Sequence, residues 1–227
     1  MIEFSGEYSR QSLLVSFSQR ANRENPAISF PSFSALCDYL ALNDLPSQSD
    51  LIFVLAGRPE RKAYGLHLFR KGIALRIVLS VGRFEVRKMD AFGFQDLNLR
   101  EMVKHMAPRD RHFFVEISDG SRSVTPARIK RVGTFGELAA LAAYLRGRQI
   151  KTLTLVSTSV HLRRVRLCCR KISGLRGFNI SYVPVPEELS SFRRERWWNK
   201  FDQWSYICSE YIKLLAYQLR FRHDQNE

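Results

Sequence analysis

An α/β fold is what this sequence predicts: a mainly parallel sheet of about five strands, helices on both faces, and an amphipathic helix at the carboxyl end. Three observations predict it. Short apolar runs of strand length recur along the chain. Segments with helical spacing alternate with them, as crossovers between parallel strands require. Gly and Pro mark the joints, with Pro59 at a helix start and Gly72 just past a helix end.

Taken in order, residues 1–48 are Ser-rich, with weak apolar helical patches at 13–17 and 33–42 separated by the turn-forming NRENPAISFPS. They read as an N-terminal extension. DLIFVLAG (50–57) is the first strand, followed by a helix over 59–71. ALRIVLS (74–80) is the second strand, and after Gly82 the clearest helical stretch is 96–106. HFFVEIS (112–118) is the third strand, taken to run with the others. The segment DGSRSVTPARIKRVG (119–133) reads as a long loop. A helix over 134–146, the strand KTLTLVS (151–157), a helix over 159–172 and the strand FNISYVPV (178–185) complete a domain over 49–186. Residues 187–227 form a helical tail packing on that domain.

Charge narrows the partners. The chain carries 36 basic and 22 acidic residues, a net charge of +14. Such an excess points to an anionic small molecule, nucleic acid or a membrane surface. Of the basic residues 27 are Arg and 9 are Lys, an imbalance that GC-rich coding produces by itself. Cys37, Cys168, Cys169 and Cys208 show neither metal-ligand spacing nor a disulfide framework, so a reducing, cytoplasmic setting is the expectation. The first residues carry Glu3 and Glu7 and do not read as a signal peptide. No apolar run approaches the roughly 20 residues of a membrane helix.

A parallel sheet presents its ligand at the carboxyl ends of its strands. The residues there are Gly57, Arg58 and Arg61 after the first strand, and Ser80, Gly82, Arg83 and Glu85 after the second. Glu116 lies near the end of the third, and Ser157, Thr158, Ser159, His161 and Arg164 follow the fourth. Small residues let backbone approach a ligand, helix N-termini favour anions, and guanidinium groups grip phosphates or carboxylates in bidentate fashion. The expected pocket is an anion site. His161 and Arg164 share a helix face within the first turns, where a histidine tends toward its neutral form. Plainer readings compete: Thr134 with Glu137 forms a T-x-x-E capping box, and Ser157 or Ser159 serves as an N-cap.

These segments together resemble the YdcF-like family, which includes the envelope proteins SanA and ElyC. The resemblance runs from about Asp50 to Val185. Its carriers are DLIFVLAG (50–57), RKAYGLHLFRKG (61–72), IVLSVGRFE (77–85), TFGE (134–137) and, most specific, LVSTSVHLRRVR (155–166). Trp197, Trp198 and the E-x-x-K of Glu210 and Lys213 fit the family's tail. The resemblance implies a Rossmann-like three-layer sandwich whose site is built from Arg61, Ser80, Gly82, Glu85, Glu116, Thr134, Glu137, His161 and Arg164. It also implies a nucleotide-like or S-adenosylmethionine-like ligand and a role in cell-envelope or exopolysaccharide metabolism. Val81 stands where the family has a second Gly, and Glu137 where it often has Asn. The 119–133 connection is longer and more basic than usual, and reads as a lid carrying Arg122, Arg128, Lys130 and Arg131.

The functional expectation is binding of a phosphorylated or otherwise anionic small ligand, with phosphoester or pyrophosphate hydrolysis or transfer as the reaction class. Arg61 and Arg164 would hold the charge, His161 would move the proton, and Glu85 or Glu116 would orient it or activate water. Neither G-x-G-x-x-G nor G-x-x-x-x-G-K-[ST] occurs, which disfavours a standard dinucleotide or ATP site. One alternative is a basic nucleic-acid-binding protein, although the aromatics fall mostly in apolar stripes. Another is a non-catalytic envelope accessory in peripheral contact with a membrane through 197–220. There the stripe 197, 201, 204, 208, 211, 215 and 219 has basic residues on the other side, and such stripes more commonly pack on their own domain.

Overall fold

The four residues LIFV of β1 (Leu51–Val54) have no exposed side chain, and that requires apolar layers on both sides. The computed structural model supplies them; it describes residues 31–82, 84–107, 112–118, 120–129, 133–195 and 197–223. The helical patch expected at 13–17 lies outside the described residues. Leu51, Phe53 and Leu55 point to one face, packed against α5 (Thr134–Leu145) and α6 (Ser159–Lys171). Ile52 and Val54 point to the other, under α2 (Pro59–Arg70), α3 (Val86–Met89) and α4 (Leu99–His105). Each fully buried side chain of this size contributes about 1.5–3 kcal/mol.

The sheet has the order β4-β3-β2-β1-β5-β6. β1 pairs in parallel with β2 (Arg76–Gly82) and with β5 (Thr152–Ser157), and β5 pairs in parallel with β6 (Asn179–Pro184). β3 (His112–Ser118) runs antiparallel to β2, with Gly82 opposite His112 and Arg76 opposite Ser118. β4 (Ser121–Pro126) returns antiparallel to β3. The fold is therefore α/β on a mixed, mostly parallel six-stranded sheet, and the expected count of about five strands was one short.

The 119–133 segment is accordingly not a long loop: its first half is the edge strand of a hairpin. Ser118 pairs with Ser121, and Gly120 has φ +73 in the connection between them. Asp-Gly between two strands is the usual signature of a tight hairpin. β4 itself, SRSVTP, is polar and ends in Pro, as befits an exposed edge.

α2 crosses β1 very closely because residue 65 has no side chain: a Cβ there would lie 2.3 Å from Val54 Cγ2. α1 (Pro31–Leu40), α6 and α7 (Phe201–His223) share a third apolar cluster containing Cys37, Leu40, Val160, Phe192, Trp197, Ile207 and Leu214. The indole of Trp197 donates to the Phe33 carbonyl at 3.2 Å. Residues 197–199 form a short 3₁₀ turn, so the last helix starts at Phe201 rather than at 197. Its buried side is Gln203, Ile207, Glu210, Leu214 and Phe221, which is not the stripe counted from the sequence.

Candidate functional site

The parallel strands β1, β2 and β5 end on one rim, joined there by the start of β3. After β1 the chain turns through Gly57 with φ +128, a conformation that L side chains rarely adopt. A Cβ at this position would stand 2.9 Å from Arg61 Nη1, so the guanidinium lies directly over the glycine. Arg61 Nη1 donates to the Ala56 carbonyl at 2.5 Å and Nη2 to Thr158 Oγ1 at 3.0 Å. Its Nε is buried and has no hydrogen-bond partner among the described residues. The Ala56 amide donates to Glu137 Oε1 at 2.7 Å, which ties α5 to the end of β1.

Beside it, Glu85 closes the turn after β2 by accepting from the Gly82 amide at 3.0 Å, and it forms an ion pair with Lys62. Lys62 is 1% exposed, and burial holds its ammonium below the ordinary lysine range against the opposing pull of Glu85. Ser80 Oγ lies 2.7 Å from His112 Nε2. Burial also lowers the His112 imidazole, while Glu137 and Glu85 draw it the other way.

The third group is centred on His161. Its Nδ1 lies 2.7 Å from Ser157 Oγ and its Nε2 3.1 Å from Thr134 Oγ1. Arg164 donates to the same Thr134 oxygen, and a guanidinium has no acceptor to offer in return. The hydroxyl hydrogen is therefore free for Nε2, which assigns the ring proton to Nδ1, donating to Ser157. Burial drives His161 well below the ordinary histidine value, and Arg164, Arg61 and Lys213 push it the same way. The remaining nitrogens of Arg164 clamp Glu210 of α7, with Nε on Oε2 at 2.8 Å and Nη2 on Oε1 at 2.9 Å. Thr158 Oγ1 lies 2.7 Å from Tyr206 Oη, a second tie to α7.

The structure thus brings Gly57, Arg61, Ser80, Gly82, Glu85, Thr134, Glu137, Thr158, His161 and Arg164 to one rim. Most of their side chains are turned toward one another: the polar ones in this set are at most 8% exposed. The surface beside them is the exposed Gly57 with the half-buried Gly82 and His112. Arg58 is half-buried on the outer side, bonded to Ser191 with its guanidinium 4.7 Å from the Tyr206 ring centre. Ser159 begins α6 and lines a separate cavity of about 210 Å³ with Cys37, Val185 and Phe192. A second cavity of about 440 Å³ lies beyond α5, around Ala142, Arg146 and Gly174, away from the rim.

Glu116 is not part of this group. It was expected at a strand end on the same rim, but β3 runs backwards, so it pairs with Val78 in mid-sheet and faces Arg148 at 3.6 Å. The reversal puts His112 in its place. Arg122 is fixed on β4, donating to the Gly93 carbonyl at 3.0 Å, which removes it from any loop lid. Arg83, Lys130 and Arg131 lie outside the described residues.

The plainer readings fare no better. α5 is capped by Gly133 without a side-chain bond, so Thr134 and Glu137 form no capping box; they serve His161, Arg164 and Ala56 instead. Thr158, rather than Ser157 or Ser159, is the N-cap residue of α6. His112 and Lys62 were missed in the sequence, and Glu210, read there as part of the tail, was not placed beside Arg164. Among the described residues no group of three or more His, Cys, Asp or Glu is placed to hold a metal ion. Comparison of the chain with known protein families, with characterised proteins and with solved structures finds no match.

Proposed function

We propose that the chain is a YdcF-like protein with a Rossmann-like three-layer sandwich, and that the rim of β1, β2 and β5 binds an anionic small ligand. The class is a phosphorylated, nucleotide-like or S-adenosylmethionine-like molecule of cell-envelope or exopolysaccharide metabolism, with phosphoester or pyrophosphate hydrolysis or transfer as the reaction. One observation carries the reading: Arg61 is 5% exposed, hydrogen-bonds only a carbonyl and a hydroxyl, and keeps a buried Nε without a partner among the described residues. A buried guanidinium without a carboxylate is costly, and an incoming anion would relieve that cost. Gly57 leaves exposed backbone beside it.

Within this reading the roles shift from those expected in the sequence. His161, with both ring nitrogens engaged, is a positioning residue. His112, half-buried, neutral and bonded to Ser80, is the group we assign to proton transfer. Arg164 is committed to Glu210 and Thr134, so Arg61 is the ligand-facing cation.

Isothermal titration with inorganic phosphate and pyrophosphate tests the proposal. Pyrophosphate should bind the full chain, and Arg61→Met should weaken it by roughly tenfold or more, as loss of a charge-assisted contact does. Binding indifferent to Arg61→Met, or no binding of either anion, would overturn the assignment. Salt-sensitive binding of DNA that ignores Arg61→Met would favour the nucleic-acid alternative.

A further inference from the structure

The outward side of α7 is apolar. Phe201 is 83% exposed, Ile212 69%, and Leu215 and Leu219 56% each, and the exposed Trp204 ring stacks on Phe201 with centroids 6.3 Å apart. At a rise of 1.5 Å per residue this stripe runs about 27 Å from Phe201 to Leu219. Isolated exposed apolar residues are ordinary, but five of them on one side of a single helix mark an interaction surface. It is extended by α1, where Leu36 and Tyr39 are exposed and Tyr39 stacks on Tyr211.

Charge identifies the occupant. Lys200 and Arg222 stand at the two ends of the stripe, and Lys213 and Arg220 lie along one flank, all exposed. Asp202 is the one exposed acid on α7 among the described residues; Glu210 is buried against Arg164. Lys213 also reaches Glu210 Oε1 at 3.4 Å, which leaves Lys200, Arg220 and Arg222 against Asp202 on this side, in a chain of net charge +14. A helix with aromatic and aliphatic residues outward and long basic side chains at its margins suits an anionic bilayer surface, where the rings enter the interface and the cations reach the headgroups. A second copy suits it poorly. Ser205 and the half-buried Cys208 interrupt the middle of the seam, and pairing would bring two strongly positive molecules together. No helix among the described residues is long and apolar enough to cross a membrane, so the contact is with the surface.

We infer that the outward face of α7, with Leu36 and Tyr39 of α1 beside it, docks the protein on an anionic phospholipid surface. This does not depend on the ligand proposed at the strand ends. The test is co-sedimentation of the full chain with vesicles of phosphatidylcholine alone and of phosphatidylcholine mixed with phosphatidylglycerol. The wild type should sediment with the mixed vesicles and much less with the neutral ones, and Trp204 emission should shift to the blue. Leu215→Glu with Leu219→Glu should reduce binding by roughly tenfold or more, since two apolar side chains lose their burial. Both positions are exposed, so the circular dichroism spectrum and Tm of the double variant should match the wild type. Failure to bind the mixed vesicles, or binding untouched by the double variant, would overturn the inference. So would a dimer in sedimentation velocity that the same variant dissolves, because the face would then be a contact between copies.

Discussion

Arg164 and Glu210 sit almost out of water, and each supplies most of what the other needs. Truncating Glu210 leaves the Arg164 charge buried without its carboxylate, whereas Glu210 would keep Lys213 at 3.4 Å if Arg164 were the one removed; replacing both by apolar residues removes the problem. Glu210→Leu should therefore cost about 3–5 kcal/mol in urea unfolding, and adding Arg164→Leu should recover most of it. A single-variant cost near zero would show that the clamp is not formed. His161 makes a second prediction. Its folded pKa lies below the ordinary 6.5, so the unfolded chain binds the proton first as pH falls. The stability it contributes is present above 6.5 and is lost progressively below, by at most about 1.4 kcal/mol per pH unit. His161→Gln should flatten that part of the Tm profile between pH 7 and 5, leaving the smaller slope due to His112, which is shifted the same way. The residues legible in the sequence were those after parallel strands, because the rule about strand ends finds them directly. Lys62 was hidden by the habit of reading a helical lysine as solvent-exposed, and Glu210 by its distance of 46 positions from its partner.

The strands β1, β2 and β5 could be read directly, since burial on both faces leaves a largely hydrophobic signal, and β6 could be read from its alternating apolar residues although only Val183 is fully buried. β4 could not, because SRSVTP carries almost no such signal at an exposed edge. The Asp119-Gly120 pair between HFFVEIS and this segment was the available clue to β4, whereas the reversal of β3 against β2 follows from the long connection before it, which carries no such local signal. Gly120 has open space around it, so its substitution reports backbone conformation alone. Gly120→Val should cost roughly 1–2 kcal/mol in thermal or urea unfolding, with Gly120→Asn far milder. Gly65→Ala tests the opposite case, steric rather than conformational. Its added methyl would push into Val54, and a loss of about 1–3 kcal/mol is expected. The last helix was misread for a related reason: its inward side includes Gln203 and Glu210, so counting hydrophobic positions selected the outward side. Gln203 is buried because it bonds the chain before the helix, accepting from the Arg193 amide at 3.2 Å.

Across the whole molecule the charge of +14 should oppose compaction, and added salt should relieve it. Raising NaCl toward about 0.15 M, where the Debye length falls to about 8 Å, should raise Tm. Pyrophosphate at matched ionic strength should raise it further, and an equal effect of the two salts would leave only general screening. The organisation of the core depends as much on the end of the chain as on the strands. Tyr206 reaches Thr158, and Glu210 holds Arg164, across 48 and 46 positions of sequence. A polypeptide cut short by an early stop codon or a protease before residue 206 would thus keep all six strands and still lose the anchors of Thr158 and Arg164. Shortened versions of this protein should lose the ordered rim together with the cover that Ile207, Leu214 and Phe221 give the apolar clusters, and a tag or fusion that strains the final helix would be felt some forty residues upstream.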